Sequence, residues 1–115
     1  MKIKSVNKAG VSATGTCYTG TISVTKNELE LVLGNPVELY RDIDYSDGKT
    51  NFQWIVELSD GSIATVYDWK EDFIVDDVTE INWHIGGRKS NYEMFKNLLE
   101  DSITQALQKR KGVRR

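Results

Sequence analysis

The 115-residue chain has length for one domain and one modest core, and its 39% hydrophobic and 10% aromatic content with a single proline excludes a disordered or proline-rich protein. No run approaches the ~20 apolar residues of a membrane helix, and the start "MKIKSVNKAGVSATG" lacks the continuous apolar stretch of a secretory signal, so a cytoplasmic protein is expected. One cysteine and one histidine exclude an internal disulfide and a zinc cluster, and the net charge of −2 hides an asymmetry.

That asymmetry is a basic tail on an acidic body. Five of the 15 basic residues fall in 109–115, "KRKGVRR", which leaves ten against 17 acids, or −7, for residues 1–108. Between Glu38 and Glu80 there are 12 acids and three bases. Such a body repels bare nucleic acid, whose binding rests on neutralising phosphates. Cations in the tail suit the C-terminal end of a helix.

Residues 1–14 read as an extra strand or a loose segment. "GTCYTGTISVT" (Gly15–Thr25) is rich in Thr, Val, Ile and Tyr and predicts a strand. "TKNELELVLGNP" predicts a short helix: Thr25 and Glu28 form a capping box, Gly34 supplies the C′ position and Pro36 stops continuation. Its apolar face is Leu29, Val32 and Leu33. Val37–Thr50 is polar, with Asp47-Gly48 as a turn signal.

"NFQWIVELSDGSIATVYDWK" predicts a hairpin about a two-residue Asp60-Gly61 turn. That register sets Trp54 opposite Tyr67 and Phe52 opposite Trp69. It puts Phe52, Trp54, Val56, Leu58, Ile63, Thr65, Tyr67 and Trp69 on one face, expected to lie under a helix. The other face carries Ile55, Ala64 and Val66 among polar residues and offers a homodimer surface. A last strand, Thr79–Ile85, alternates Ile81, Trp83 and Ile85 against Glu80, Asn82 and His84. The final helix is expected to open on a capping box, Ser90 with Glu93, and to reach about Lys109. Tyr92, Phe95, Leu98, Leu99, Ile103, Ala106 and Leu107 recur along it at helical spacing. The expected fold is α+β: two layers, an antiparallel sheet of about four strands in the order β-α-β-β-β-α, and the long C-terminal helix packed on one face.

Four stretches bear on chemistry. Gly86-Gly87 before a helix, with Arg88 and Lys89, suits an anion, although two glycines also serve a tight reversal. Trp69, Trp83 and His84 are candidates for stacking on or hydrogen-bonding a ligand whose phosphates Arg88 and Lys89 would meet; His84 also reads as a structural histidine, and no triad is supported around it. Asp72, Phe73, Asp76 and Asp77 are candidates for contacting a protein partner, an apolar residue rimmed by acids. They lack calcium-loop spacing, so no metal and no cofactor is expected. Asp68-x-Lys70 faintly resembles a metal-nuclease core, but Asp60 is needed by the turn and the acidic body opposes DNA.

"GTCYTGTISVTKNELELVLGNP", "WIVELSDGSIATVYDWK" and "WHIGG", in this order, resemble a group of small uncharacterised bacteriophage and mobile-element proteins. The likeness spans about Gly15–Gly87. It implies a phage or prophage origin and no catalytic residue. The leading functional expectation is a non-enzymatic phage-type accessory protein that binds a host protein with a basic surface and inhibits a defence or nucleic-acid-handling component. The alternative is a protein that binds or sequesters an anionic small molecule such as a nucleotide signal. A metal-dependent nuclease ranks third.

Overall fold

The computed structural model describes residues 1–13, 15–39, 50–69 and 75–113, with side chains through Lys109. The domain is α+β. Its elements are β1 (Ile3–Val6), β2 (Cys17–Thr25), α1 (Lys26–Leu33), β3 (Val37–Glu38), β4 (Phe52–Leu58), β5 (Ile63–Tyr67), β6 (Glu80–Gly87), a 3-10 turn (Lys89–Asn91) and α2 (Tyr92–Val113). The sheet has six strands rather than about four, because the N-terminal segment adds β1 and the chain after Pro36 adds the two-residue β3. The main path runs β1-β4-β5-β6-β2, all antiparallel, and β3 pairs with β4 further along the edge that β1 occupies. Pairing with β4 recruits both short strands, Ile3 and Val6 of β1 also packing against the core, and neither strand has a strong apolar alternation to announce it.

Helix α1 forms as its caps dictate. Thr25 Oγ1 accepts from Glu28 N–H (3.1 Å), and Glu28 Oε1 accepts from Thr25 N–H (3.0 Å). Gly34, at φ 78°, closes the last turn by donating to Glu30 O (2.9 Å). Leu29 and Leu33 are buried and Val32 packs beside them. The end of this helix is tied to the sheet, since the Trp54 indole N–H donates to Gly34 O (2.8 Å).

Helix α2 starts later than its capping box suggested. Ser90 lies inside the 3-10 turn, where Asn91 N–H donates to Arg88 O (2.9 Å), and the α-helix begins at Tyr92. It continues past Lys109 to Val113, so the first part of the basic tail is helical. Phe95, Leu99 and Ile103 are buried. Each such side chain contributes roughly 1.5–3 kcal/mol on burial. Leu107 is exposed, so the helix outruns the core it covers.

The hairpin register differs from expectation by one residue. Leu58 N–H donates to Ser62 O (2.9 Å), closing a three-residue loop, Ser59–Gly61, with Gly61 at φ 86°. This is the loop length built from a turn followed by a left-handed glycine. Asp60 Oδ1 accepts from both the backbone N–H (2.9 Å) and the hydroxyl (2.6 Å) of Ser62, which fixes the longer loop. Trp54 therefore opposes Val66, and Gln53 opposes Tyr67. A one-residue slip turns every β5 side chain to the other face.

The core is thus Phe52, Trp54, Val56 and Leu58 with Ala64 and Val66, joined by Trp83 and Ile85 and covered by both helices. Trp54 and Trp83 meet edge to face, centroids 5.4 Å apart. Ile63, Thr65, Tyr67 and Trp69 lie opposite to where the two-residue turn would send them. Ala64 and Val66 are buried, which removes them from the homodimer surface expected on the second face.

Candidate functional site

The face of the sheet away from the helices is built by β4, β5, β6 and the first part of β2. Three features of the chain assemble an aromatic cluster there. The three-residue hairpin loop sends Tyr67 and Trp69 outward. Alternation along β6 sends His84 the same way, between buried Trp83 and Ile85. An irregularity at Thr19 does the rest: Tyr18 opposes Gly86 while Gly20 opposes Ile85, so the extra residue turns Tyr18 onto the His84 side. The Thr19 hydroxyl donates to Ile85 O (2.8 Å) and holds the bulge.

His84 sits at the centre of the cluster. Its ring lies 4.7 Å from Tyr18, 5.5 Å from Tyr67 and 6.0 Å from Trp69, centroid to centroid. The Trp69 and His84 planes are 28° apart and stacked, whereas Tyr67 meets both Trp69 and His84 edge to face. Burial pushes the His84 imidazole below its ordinary range, favouring the neutral ring. Burial, and then the neighbouring Tyr18, push the Tyr67 phenol up. The cluster is neutral and still accessible, for Tyr18 is 59% exposed.

Beside it is a depression of about 290 Å³ lined by Thr16, Leu39, Thr50, Gln53, Thr65, Tyr67 and Trp69. Thr16 also borders a second depression of about 280 Å³, whose other walls are Gly15, Gly61, Ser62, Ile63, Gly87 and Arg88. The two depressions share Thr16 as a common wall and are bordered in order by Tyr67, Thr65 and Ile63 of β5; taken together as a trough, they have Trp69 at one end and Arg88 at the other. Gly86 makes room for the Thr65 side chain: a Cβ there would collide with Thr65 Oγ1 and approach the Tyr67 ring.

Of the residues the sequence singled out, the structure brings Trp69 and His84 together and puts Arg88 at the far end of the same trough. Trp83 is removed from the site, being 0% exposed with its indole N–H donated to Val24 O (3.0 Å). Lys89 is exposed in the 3-10 turn and lines neither depression. Gly86 and Gly87 are not a reversal before a helix: both pair within β6, opposite Tyr18 and Cys17, and the chain turns after Arg88. Tyr18, Tyr67, Gln53 and Thr65 were missed, since their placement depends on the register and the bulge. Only Gly61 at the loop's third position hinted at the longer turn.

The acidic candidates divide. Asp72 and Phe73 lie outside the described residues, as do Asp47, Gly48 and Lys70. Asp76 is occupied locally: its carboxylate accepts from Thr79 N–H (2.7 Å), Thr79 Oγ1 (2.8 Å) and Val78 N–H (2.9 Å), and these bonds hold it below the usual carboxylate range. Asp77 accepts from Lys26 Nζ (3.0 Å). Val75, which follows Asp72 and Phe73 in the chain, is buried. Asp68 is 0% exposed, and both its oxygens are engaged by Phe52 N–H (2.7 Å), Asn51 N–H (2.9 Å) and Asn51 Nδ2 (3.3 Å). It holds the start of β4 rather than facing solvent as a metal ligand. Among the described residues no group of three His, Cys, Asp or Glu side chains is placed to hold a metal ion, and no helix is long and apolar enough to cross a membrane.

Comparison of the chain with protein-family models, with curated proteins and with solved structures finds no match in any of the three.

Proposed function

We propose that the protein is a non-enzymatic binding protein that captures a small planar molecule on the open face of its sheet. The stacked pair of Trp69 and His84, flanked by Tyr67 and Tyr18, is the observation that carries this reading. Partly exposed rings on a rigid sheet supply stacking area at little conformational cost, and hydroxyls and an amide beside them supply orientation. Capture of a basic host protein finds less support, because Asp76 and Asp77 are already engaged within the chain.

The test is chemical-shift mapping with a library of planar heteroaromatic fragments. Binders are expected to perturb Tyr67, Trp69 and His84, and Trp69→Ala is expected to weaken them at least tenfold. Fragments that bind elsewhere, or that leave these rings unperturbed, overturn the reading.

A further inference from the structure

The trough is asymmetric, and its asymmetry says more about the ligand than its aromatic end alone. Along β5 the residues facing it are Tyr67, Thr65 and Ile63, so the floor runs about 13 Å from the rings to the end beside Arg88 at ordinary strand rise. The rings offer flat apolar area. The middle is polar, with Thr16, Thr65 and the Gln53 amide on its walls. The far end holds a guanidinium.

Arg88 makes no ion pair among the described residues. Asp60 is near enough to feel its charge but makes no ion pair with it, and its Oδ1 accepts from the Ser62 N–H and hydroxyl. Glu57, the acid that β4 places on this face, is engaged by Ser5 Oγ (3.0 Å) and Lys4 Nζ (3.7 Å). A guanidinium with its donors unspent is suited to forked recognition of an oxyanion.

Building on the planar-ligand reading, we propose that the trough takes a nucleoside 5′-diphosphate, its base on Trp69 and Tyr67 beside His84 and its phosphates at Arg88. A free base would leave the cationic end empty, and an inorganic phosphate would ignore the rings. A planar base, a hydroxylated sugar and a terminal anion match the aromatic, polar and cationic parts in order. With one cation among the described lining residues, the site also favours a mononucleotide over a polymer, whose successive phosphates would meet no further partner there.

Calorimetric titration of the full chain with ADP, GDP, CDP and UDP, each beside its nucleoside, and with pyrophosphate, tests this. At least one diphosphate is expected to bind tenfold or more tightly than its nucleoside, with pyrophosphate weaker than both. Arg88→Gln is expected to bring the diphosphate down to the affinity of its nucleoside, and Trp69→Ala to weaken nucleoside and diphosphate alike. Equal affinities, or a ratio that survives Arg88→Gln, overturn the phosphate assignment and leave ring capture standing. Absence of binding by all four diphosphates overturns the assignment too, and the fragment mapping then decides separately whether ring capture holds.

Discussion

Trp69 stacks on His84 across neighbouring strands, their ring planes 28° apart and their centroids separated by 6.0 Å, on the face of the sheet that the helices leave open. The contact joins the last described residue after β5 to the middle of β6. It makes the only histidine of the chain a reporter of that face.

Burial lowers the His84 pKa from its ordinary 6.5, so the unfolded chain binds the proton more readily than the folded one. The stability this represents is complete above pH 6.5 and is lost as pH falls from there through the folded value. With one histidine present, a fall in stability over that window is expected to disappear in His84→Gln. Urea denaturation at a series of pH values, with the imidazole followed by NMR, checks both sign and origin.

Gly86→Ala is expected to destabilise the fold by about 1–3 kcal/mol, the usual cost of overpacking, because its Cβ would meet Thr65 Oγ1. Thr65→Ala removes that atom. The cost of Gly86→Ala is therefore expected to shrink markedly in a Thr65→Ala background, and a double-mutant cycle by thermal unfolding measures the coupling.

Asp68→Ala leaves the buried Phe52 N–H without its acceptor at 2.7 Å. A loss of about 3 kcal/mol is expected, in line with an orphaned buried donor. Asp68→Asn, which retains one acceptor oxygen, is expected to cost less. Chemical denaturation ranks the two, and the reverse order would mean that the carboxylate does not hold the start of β4.

Gly61→Ala forces a side chain into φ 86° and is expected to cost about 1–2 kcal/mol. Deleting Gly61 has a different consequence. It leaves Ser59-Asp60 as a two-residue loop between Leu58 and Ser62, so the β4–β5 pairing and its faces are expected to persist while the left-handed position that relieves the turn is lost. A lower melting temperature with the Trp54–Val66 pairing retained is the expected result, read by calorimetry and by cross-strand NOEs.

Local chemistry in the sequence determined much of the frame. The Thr25–Glu28 box, Gly34 and Pro36 specify α1 because capping involves only near neighbours. Helical spacing from Phe95 to Ile103 and alternation from Glu80 to Ile85 specify α2 and β6 for the same reason, and His84 is correctly turned away from Trp83. Tertiary structure decided what the open face contains. Whether Asp60-Gly61 closes a loop of two residues or three depends on how Asp60 bonds Ser62 and on which β5 side chains fit beneath the helices. Trp54 and Val56 stand opposite Val66 and Ala64, small enough to be covered there. The bulge at Thr19 depends likewise on the Ile85 carbonyl of another strand. Both are choices of register between segments distant in sequence, and a shift of one residue is invisible in composition yet exchanges core for surface. Trp69 thereby left the core and Trp83 stayed in it.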